Sequence, residues 1–231
     1  MLTIDISSAK IIDDYAFANS GIEFNCDSKS SLAKIGKFAF SNLKNQSQHI
    51  YVPSSLLVVD EYAFACDNEE PFEKLTVSLP NANTICKNAF AGNKNGFNEI
   101  DVRNASNISI NAFPQLDDGI CENVIYSSNI KILKTDSFSC TNVKQISNLD
   151  NIEIVEKLAF KDSNIESLSL SNCNEIINYA FLNCKQLTHI ELPVCKRIRR
   201  DVFRNCSCLN ELIAPNCSFI ELNALNDTLI D

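Results

Sequence analysis

Cysteine and histidine have the widest chemical repertoire of the residues in this chain, because thiolates and imidazoles bind metals and act as nucleophiles or bases. The sequence has 11 Cys and 2 His among 231 residues. Cys173, Cys195 and Cys217 are spaced by 22 residues, as are Cys184 and Cys206. A zinc site or a disulfide is one interpretation of such spacing. No C-x-x-C pair occurs, however, so the pattern favours buried thiols that serve as small apolar side chains.

The interval of 22 residues belongs to a repeat that runs through the whole chain. An aromatic anchor recurs every 21–26 residues, Ala, Ser or Val precedes each anchor, and an aliphatic residue stands five positions before it. Ten such copies predict an array of stacked coils, since each coil can bury its apolar face only against its neighbours. The anchors are Phe17, Phe40, Phe64, Phe90, Phe113, Phe138, Phe160, Phe181, Phe203 and, in the last copy, Leu225.

Each copy also has a short segment in which apolar and polar residues alternate, which is typical of a strand. In "LTHIELP" (187–193), Ile190 and Leu192 are predicted to point inward while His189 and Glu191 point outward. The run that leads into the anchor, such as "IRRDVF", is compatible with a short helical turn.

The spacing L-x-x-L-x-L-x-x-C-x-x-I in "LTHIELPVCKRI" (187–198) is the leucine-rich-repeat pattern. With the ending x-x-x-A-F-x-x-C it resembles the BspA-like, Treponema-type leucine-rich repeats from residue 1 to about residue 225. The strand pattern departs from that family in repeats two, six and seven, as in "NCDSKSSLAKI" and "ISNLDNIEI". The resemblance implies one domain over residues 1–231, a right-handed solenoid of about ten coils with parallel strands on one side and short helical turns on the other.

A catalytic or metal centre is not predicted. His49 and His189 fall in the third and ninth strands, roughly 29 Å apart at the spacing of neighbouring strands, so they cannot share one site. The sequence also has no Ser/His/Asp group placed by the repeats and no glycine-rich phosphate loop. We therefore predict a protein that is not an enzyme and that needs no metal or cofactor.

The outward face of the strands is the predicted binding surface, because solenoids bind extended partners on their strand side. Its acidic residues form a stripe suited to a protein partner, although a solvated strand face can also simply be charged. The predicted contact residues are Asp5, Glu23, His49, Tyr51, Glu99, Asp101, Ser169, His189, Glu191 and Glu211.

Charge and hydropathy restrict the other partner classes. The net charge of −9 argues against a nucleic-acid partner, whose phosphates must be neutralised by Lys and Arg. The basic stretch "CKRIRRDVFR" (195–204) could form an anionic-surface patch, but in an acidic protein it is better interpreted as a solvated edge that pairs with neighbouring carboxylates. No run approaches the roughly 18 apolar residues of a membrane span, and the first residues do not form a signal peptide.

Non-enzymatic binding of a macromolecule is the function that these observations favour. BspA-like proteins of oral bacteria and anaerobic protozoa are associated with cell surfaces, adhesion to host matrix proteins and aggregation, so the resemblance implies a surface or adhesion role. The alternatives are an intracellular scaffold and the targeting array of a longer effector. The 11 cysteines without a signal peptide favour the cytoplasm, whereas the resemblance favours the cell surface. The terminal coils lack polar capping repeats, which predicts either that the chain is part of a longer array or that its ends are covered by a partner or by end-to-end self-association.

Overall fold

The chain folds into a solenoid of parallel β-strands. Its ten shortest strands mark ten successive coils of the described residues. The structure is a computed structural model. It describes residues 6–21, 30–43, 49–67, 74–79 and 81–230. These residues contain no helix, and so they contain no helix that is long and apolar enough to cross a membrane.

Each coil contributes strands to two sides of the solenoid. Strands of three to five residues form the side that we call the long-strand sheet: β3 (His49–Tyr51), β5 (Leu75–Ser78), β7 (Phe97–Asp101), β9 (Cys121–Ile125), β11 (Val143–Ser147), β13 (Ser167–Ser169), β15 (His189–Glu191) and β17 (Glu211–Ile213). Strands of two residues form the short-strand sheets: β1 (Ile11–Ile12), β2 (Lys34–Ile35), β4 (Val58–Val59), β6 (Thr84–Ile85), β8 (Asn107–Ile108), β10 (Ile132–Leu133), β12 (Ile154–Val155), β14 (Glu175–Ile176), β16 (Arg197–Ile198) and β18 (Phe219–Ile220).

The long-strand sheet is continuous through all eight of its strands. Equivalent residues of neighbouring coils pair directly, so that Ile190 lies between Leu168 and Leu212. These central residues point inward, as the alternating pattern predicts, and Leu168 and Ile190 are buried. Repeats six and seven, where the strand pattern is weak, nevertheless form the five-residue strands β9 and β11.

The short strands divide into three separate parallel sheets of five, three and two strands. The first runs from β1 to β8, the second joins β10, β12 and β14, and the third joins β16 and β18. The solenoid therefore has two junctions, between β8 and β10 and between β14 and β16, at which the coils stack without a ladder of paired strands.

The anchor phenylalanines form one continuous stack along the interior, which explains why they recur. Ring centroids of successive anchors lie between 4.7 Å, for Phe160 and Phe181, and 6.0 Å, for Phe90 and Phe113. The small residue before each anchor lets the backbones approach: the amide of Phe160 donates to the carbonyl of Ala180 at 2.8 Å. Both alanines of this pair of coils, Ala159 and Ala180, are completely buried.

The short turn predicted at the anchor is present, but it does not form a regular helix, because it contains left-handed backbone. The residue two before the anchor has a positive φ in every coil, for example 61° at Leu158 and 65° at Tyr179. In many coils the residue two after the anchor does too, as at Asn183 (61°) and Asn205 (60°). A right-handed helix cannot pass through such residues. Asn adopts this conformation more readily than most residues, and eight asparagines of the described residues have a positive φ.

Candidate binding surface

The outward side chains of the long-strand sheet form two columns, a column being the set of equivalent positions in successive coils. We call the two together the outer face. The first column comprises Thr76, Glu99, Asn123, Gln145, Ser167, His189 and Glu211. The second column comprises Ser78, Asp101, Ile125, Ser147, Ser169, Glu191 and Ile213.

The outer face is not the continuous acidic stripe that the sequence suggests. Its middle is uncharged and carries amide, hydroxyl and apolar side chains at Asn123, Ile125, Gln145, Ser147 and Ser167. We call these five residues the neutral centre. Charged side chains occur at its two ends, in β7 on one side and in β15 and β17 on the other.

Asp101 stands in the second column of the outer face, but its carboxylate is covered there. Only 5% of its side chain is exposed, because Arg103 folds back over it from beyond the end of β7. The Nε of Arg103 donates to both carboxylate oxygens at 3.0 and 2.9 Å, and Nη2 donates to Oδ2 at 2.6 Å. The hydrogen bond to Asp101 raises the pKa of Arg103. Asp101 therefore has no free oxygen to offer a partner.

The structure brings four of the other predicted residues together at the opposite end of the outer face. His189 Nδ1 lies 2.9 Å from Glu211 Oε2, and its Nε2 lies 3.3 Å from Glu191 Oε1. The hydroxyl of Ser169 donates to Glu191 Oε2 at 3.0 Å. An imidazole can donate to both carboxylates only when both of its nitrogens carry hydrogen. The cluster is therefore a set of mutually paired side chains.

The remaining predicted residues are separate from this cluster. Glu99 accepts a hydrogen bond from the amide of Asn123 at 3.1 Å. His49 and Tyr51 lie on β3, at the far end of the sheet from β15, so the two histidines belong to different regions as predicted. Asp5 and Glu23 lie outside the described residues.

Comparison with known proteins gives the repeat a family. The model of the family described as "BspA type Leucine rich repeat region (6 copies)" matches residues 2–117 and 107–230. The chain belongs to the BspA-type leucine-rich-repeat family. Leucine-rich repeats are protein-binding modules, and this family assignment agrees with the resemblance found in the sequence. No curated protein matches the chain.

Solved structures share the leucine-rich-repeat fold. A leucine-rich repeat protein from Bacteroides ovatus is 24% identical and superposes with a TM-score of 0.63, and the match covers 96% of this chain and 56% of that chain. This chain thus spans little more than half the length of that protein. A leucine-rich cell surface protein from Faecalibacterium prausnitzii is 14% identical with a TM-score of 0.36, covering 92% of this chain and 87% of that one.

The repeated cysteines of this BspA-type array are thiols built into the core. Cys173 and Cys195 donate to backbone carbonyls two residues on, at 3.4 and 3.2 Å, while Cys184 and Cys206 donate to phenylalanine carbonyls of the preceding coil at 2.9 and 3.0 Å. Burial raises the pKa of Cys173 to about 12, so the thiol stays neutral and is a poor nucleophile. All ten described cysteines are free.

Metal binding has no support in the part of the chain that the structure describes. There, no three His, Cys, Asp or Glu side chains are arranged to hold an ion. Cys217, in the last coil, is only half-buried, and so is Cys208. Cys26 lies outside the described residues.

The basic stretch 195–204 forms a paired edge, in agreement with the preferred interpretation. Arg197 and Arg199 reach the carboxylates of the adjoining coils, at 3.5 Å from Glu221 and 2.5 Å from Glu175. Arg200 and Arg204 share Asp201, which is 1% exposed, at 3.0 and 3.8 Å.

An ionic ladder beside the outer face was missed in the sequence. Lys144 lies 3.2 Å from Glu122 and 3.7 Å from Glu166, and Lys74 hydrogen-bonds to Glu122. The hydrogen bond from Lys74 lowers the pKa of Glu122. The alternation of sign at 22-residue spacing in Glu122, Lys144 and Glu166 is the signal that could have revealed it.

Proposed function

We propose that this protein is a non-enzymatic binding module that holds an extended segment of another protein along the outer face, with the neutral centre as the main contact. The observation that carries the proposal is the pairing state of the outer face. The charged residues that flank the neutral centre are already engaged within the protein, as at His189, whose ring nitrogens contact Glu191 and Glu211. In the neutral centre, the side chains of Gln145, Ser147 and Ser167 have no hydrogen-bond partner in the described part of the chain.

The chemistry of the neutral centre suits a polypeptide backbone. Amide and hydroxyl groups both donate and accept hydrogen bonds, as an extended chain requires. Successive coils repeat these groups about every 4.8 Å, so contacts add up along the solenoid. Ile125, which is half-buried, offers an apolar contact between them. An uncharged contact region also avoids the desolvation of unpaired charges.

A role in adhesion at a cell surface is the finer part of this proposal. It is supported by membership of the BspA-type family, whose members the sequence resemblance associates with adhesion to host matrix proteins. A Faecalibacterium prausnitzii protein of the same repeat class is described as a cell surface protein. The scaffold and effector-targeting roles are the alternatives within the same binding mode.

Selection of random peptides displayed on phage tests the binding face directly. Peptides selected on the wild-type protein are measured against a variant with Ser147→Lys and Ser167→Lys, and against a control with Ser54→Lys and Ser207→Lys, whose serines lie in turns away from the outer face. We expect the first pair to weaken binding by at least about tenfold, since a bound strand would meet two added charges, and the control to leave it unchanged. Peptides that bind both variants equally would contradict the proposed face.

Immobilised fibronectin and collagen provide the separate test of adhesion. Binding that the outer-face variant loses and the control variant keeps supports the adhesion role. Selected peptides without any binding to matrix proteins would instead point to the scaffold role.

Head-to-tail self-association is a second candidate, favoured by the last coil. Phe219, Ile220 and Leu222 are 54%, 53% and 68% exposed there, and β18 has β16 as its one strand partner among the described residues. In the first coil, Ile11 is 60% exposed on β1, whose strand partner in the described part of the chain is β2. Because Ile11 and Phe219 occupy equivalent repeat positions, β1 of a second copy can continue the sheet of β16 and β18 in register.

Light scattering over a range of protein concentrations tests this association. We expect the mass to rise with concentration in the wild type and to stay constant in Ile220→Asp, which places a charge in the contact. A constant monomer mass for the wild-type chain at every concentration would exclude head-to-tail association.

A further inference from the structure

The junction between β8 and β10 contains a cavity of about 300 Å³. Residues of both coils line it, including Ile108 from one side and Tyr126, Ile130 and Ile132 from the other. Lys131 and Lys134 stand on the β10 side of the same cavity, with Ser137. Ligand sites in proteins combine such an apolar lining with a few polar groups.

The cavity exists because the backbone ladder is missing at this junction. In a regular coil the amides around a short strand donate to the preceding coil, as Leu57 does to Ala33 at 2.9 Å and Asp60 to Ile35 at 3.0 Å. The equivalent amides of Lys131, Ile132 and Lys134 have no such partner within residues 81–230, all of which are described.

A larger side chain accounts for the separation of the two coils. Tyr126 takes the place that Val102 and Leu170 occupy in other coils, just after the long strand. Its ring packs beside two successive anchors of the stack, with centroids 6.2 Å from Phe113 and 5.4 Å from Phe138. The ring needs more room than an aliphatic side chain, so the short strands beside it move apart.

The polar groups of the β10 side are hydrogen-bond donors. They are the unpaired amides and two ammonium groups, whereas the Ser137 hydroxyl already donates to the carbonyl of Lys134 at 2.7 Å. Lys131 already contacts Glu153 at 2.6 Å, but Lys134 has no carboxylate partner among the described residues, although the protein carries a net charge of −9. Several donors around one ammonium group are the surroundings that a carboxylate prefers.

We propose that this cavity is a binding site for a small organic carboxylate with an apolar body. The carboxylate lies against Lys134 and the free amides of β10, and the apolar body lies against Tyr126 and the isoleucines. The site is independent of the outer face, since it is built by the short strands and not by the long-strand sheet.

The second junction, between β14 and β16, provides an internal comparison. Its cavity of about 250 Å³ is lined by Asn174, Glu175, Arg197 and Arg199, all of them polar or charged residues. Arg199 contacts Glu175 across the junction at 2.5 Å, so the charges there already satisfy each other. The proposal therefore applies to the first junction alone.

The test uses hexanoate as the probe and hexan-1-ol as its uncharged counterpart, each titrated into isotopically labelled protein and followed by the amide resonances of residues 81–230. We expect saturable shifts with hexanoate at the amides of Lys131, Ile132 and Lys134. Hexan-1-ol should bind at least about tenfold more weakly, because it cannot form the charge-assisted hydrogen bond of the carboxylate. Shifts at the second junction are not expected.

Lys134→Gln should weaken hexanoate binding by about tenfold, while Lys185→Gln, a matched change at an exposed lysine of another coil, leaves it unchanged. Equal binding of the acid and the alcohol would overturn the carboxylate assignment. Absence of saturable shifts, or equal losses in the two lysine variants, would overturn the site and leave a junction filled by water only. Both lysines are on the surface, so neither variant should alter folding.

Discussion

The long-strand sheet and the short-strand sheets are built by the same coils, yet only the long-strand sheet is continuous. Its eight strands pair in one unbroken order, whereas the short strands separate into groups of five, three and two. A long strand has inward and outward residues in register with both neighbours, so several contacts hold it in place. A short strand has two residues, and one large neighbouring side chain such as Tyr126 is sufficient to separate it from the next.

This difference shows where the solenoid can vary without losing its register. The long strands and the phenylalanine stack keep the coils aligned across both junctions, since Phe113 and Phe138 still stack at 4.9 Å where the short strands part. The short-strand side is then free to form cavities. Recognition by the two sides should accordingly differ, with an extended contact on the outer face and a local pocket at a junction.

Removal of an anchor should have the largest effect, because the anchors pack between both sides. Phe160 is fully buried and stacks on Phe138 at 5.4 Å and on Phe181 at 4.7 Å. We expect Phe160→Ala to lower the free energy of unfolding by about 3–5 kcal/mol. Equilibrium unfolding in urea measures it.

Phe219→Ala is the control for this prediction. Its ring is 54% exposed and lies outside the stack, so we expect a change of about 0.5 kcal/mol. Equal losses in the two variants would show that the stack does not hold the two sides together.

Proline substitution should distinguish a paired short strand from one at a junction. The amide of Ile154 donates to the carbonyl of Lys131 at 3.2 Å, whereas the equivalent amide of Ile132 has no backbone partner within residues 81–230. Proline removes the donor and constrains φ to the same degree at both positions. We therefore expect Ile154→Pro to be more destabilising than Ile132→Pro by about 1–3 kcal/mol in the same urea experiment. Equal destabilisation would mean that the junction is bridged in solution.

The left-handed turns beside the anchors should contribute less than the stack. Asn183 has a φ of 61°, and its side-chain Nδ2 donates to Asp162 Oδ1 at 2.8 Å. Asn183→Ala loses the hydrogen bond and places a Cβ that disfavours this backbone, so we expect a loss of about 1–2 kcal/mol in the free energy of unfolding. Asn183→Gly keeps the backbone freedom and should lose less. Were the glycine variant the less stable one, backbone strain would not be the reason for the asparagine.

The smallest effect is expected from the ionic ladder of the long-strand sheet. Lys74 lowers the pKa of Glu122 from its ordinary value of 4.5, so ionised Glu122 stabilises the fold. This contribution is present above about pH 4.5 and is lost as the pH falls through the lower pKa of the folded state. Because both partners are partly exposed, Glu122→Gln should lower stability by only about 0.2–1 kcal/mol at neutral pH.

Thermal unfolding of Glu122→Gln and of the wild type from pH 7 downward measures this difference in stability. We expect the two stability curves to converge at acid pH. A difference that persists at low pH would mean that the glutamate acts through packing and not through its charge.

The predictions that succeeded rest on positions fixed within one coil. The anchors, the small residues before them and the inward leucines and isoleucines of the strands all occupy their predicted places, because the repeat spacing decides which side chains face the interior. Repeats six and seven have a weak strand pattern in the sequence, yet both form strands, β9 and β11. Their neighbours in the sheet impose the strand conformation on residues whose own alternation is poor.

The features that the repeat does not specify concern groups whose state depends on a neighbour. Asp101 obeys the alternation of its strand but is covered by Arg103, which follows after the strand has ended. The turn at the anchor does not become a regular helix, because the residues on either side of the anchor adopt left-handed backbone. The pairing of His189 with two glutamates depends on side-chain positions in adjacent coils, and the repeat alone does not specify them.

By itself the sequence determined the solenoid, its coils, its core and the direction in which most strand residues point. These properties follow from apolar periodicity, which repeats ten times and acts within each coil. Only the tertiary structure decided which outward charges remain free, where the short strands separate and which cavity opens there. These depend on distances between coils, which are set by the packing of individual side chains such as Arg103 and Tyr126 and not by the period of the repeat.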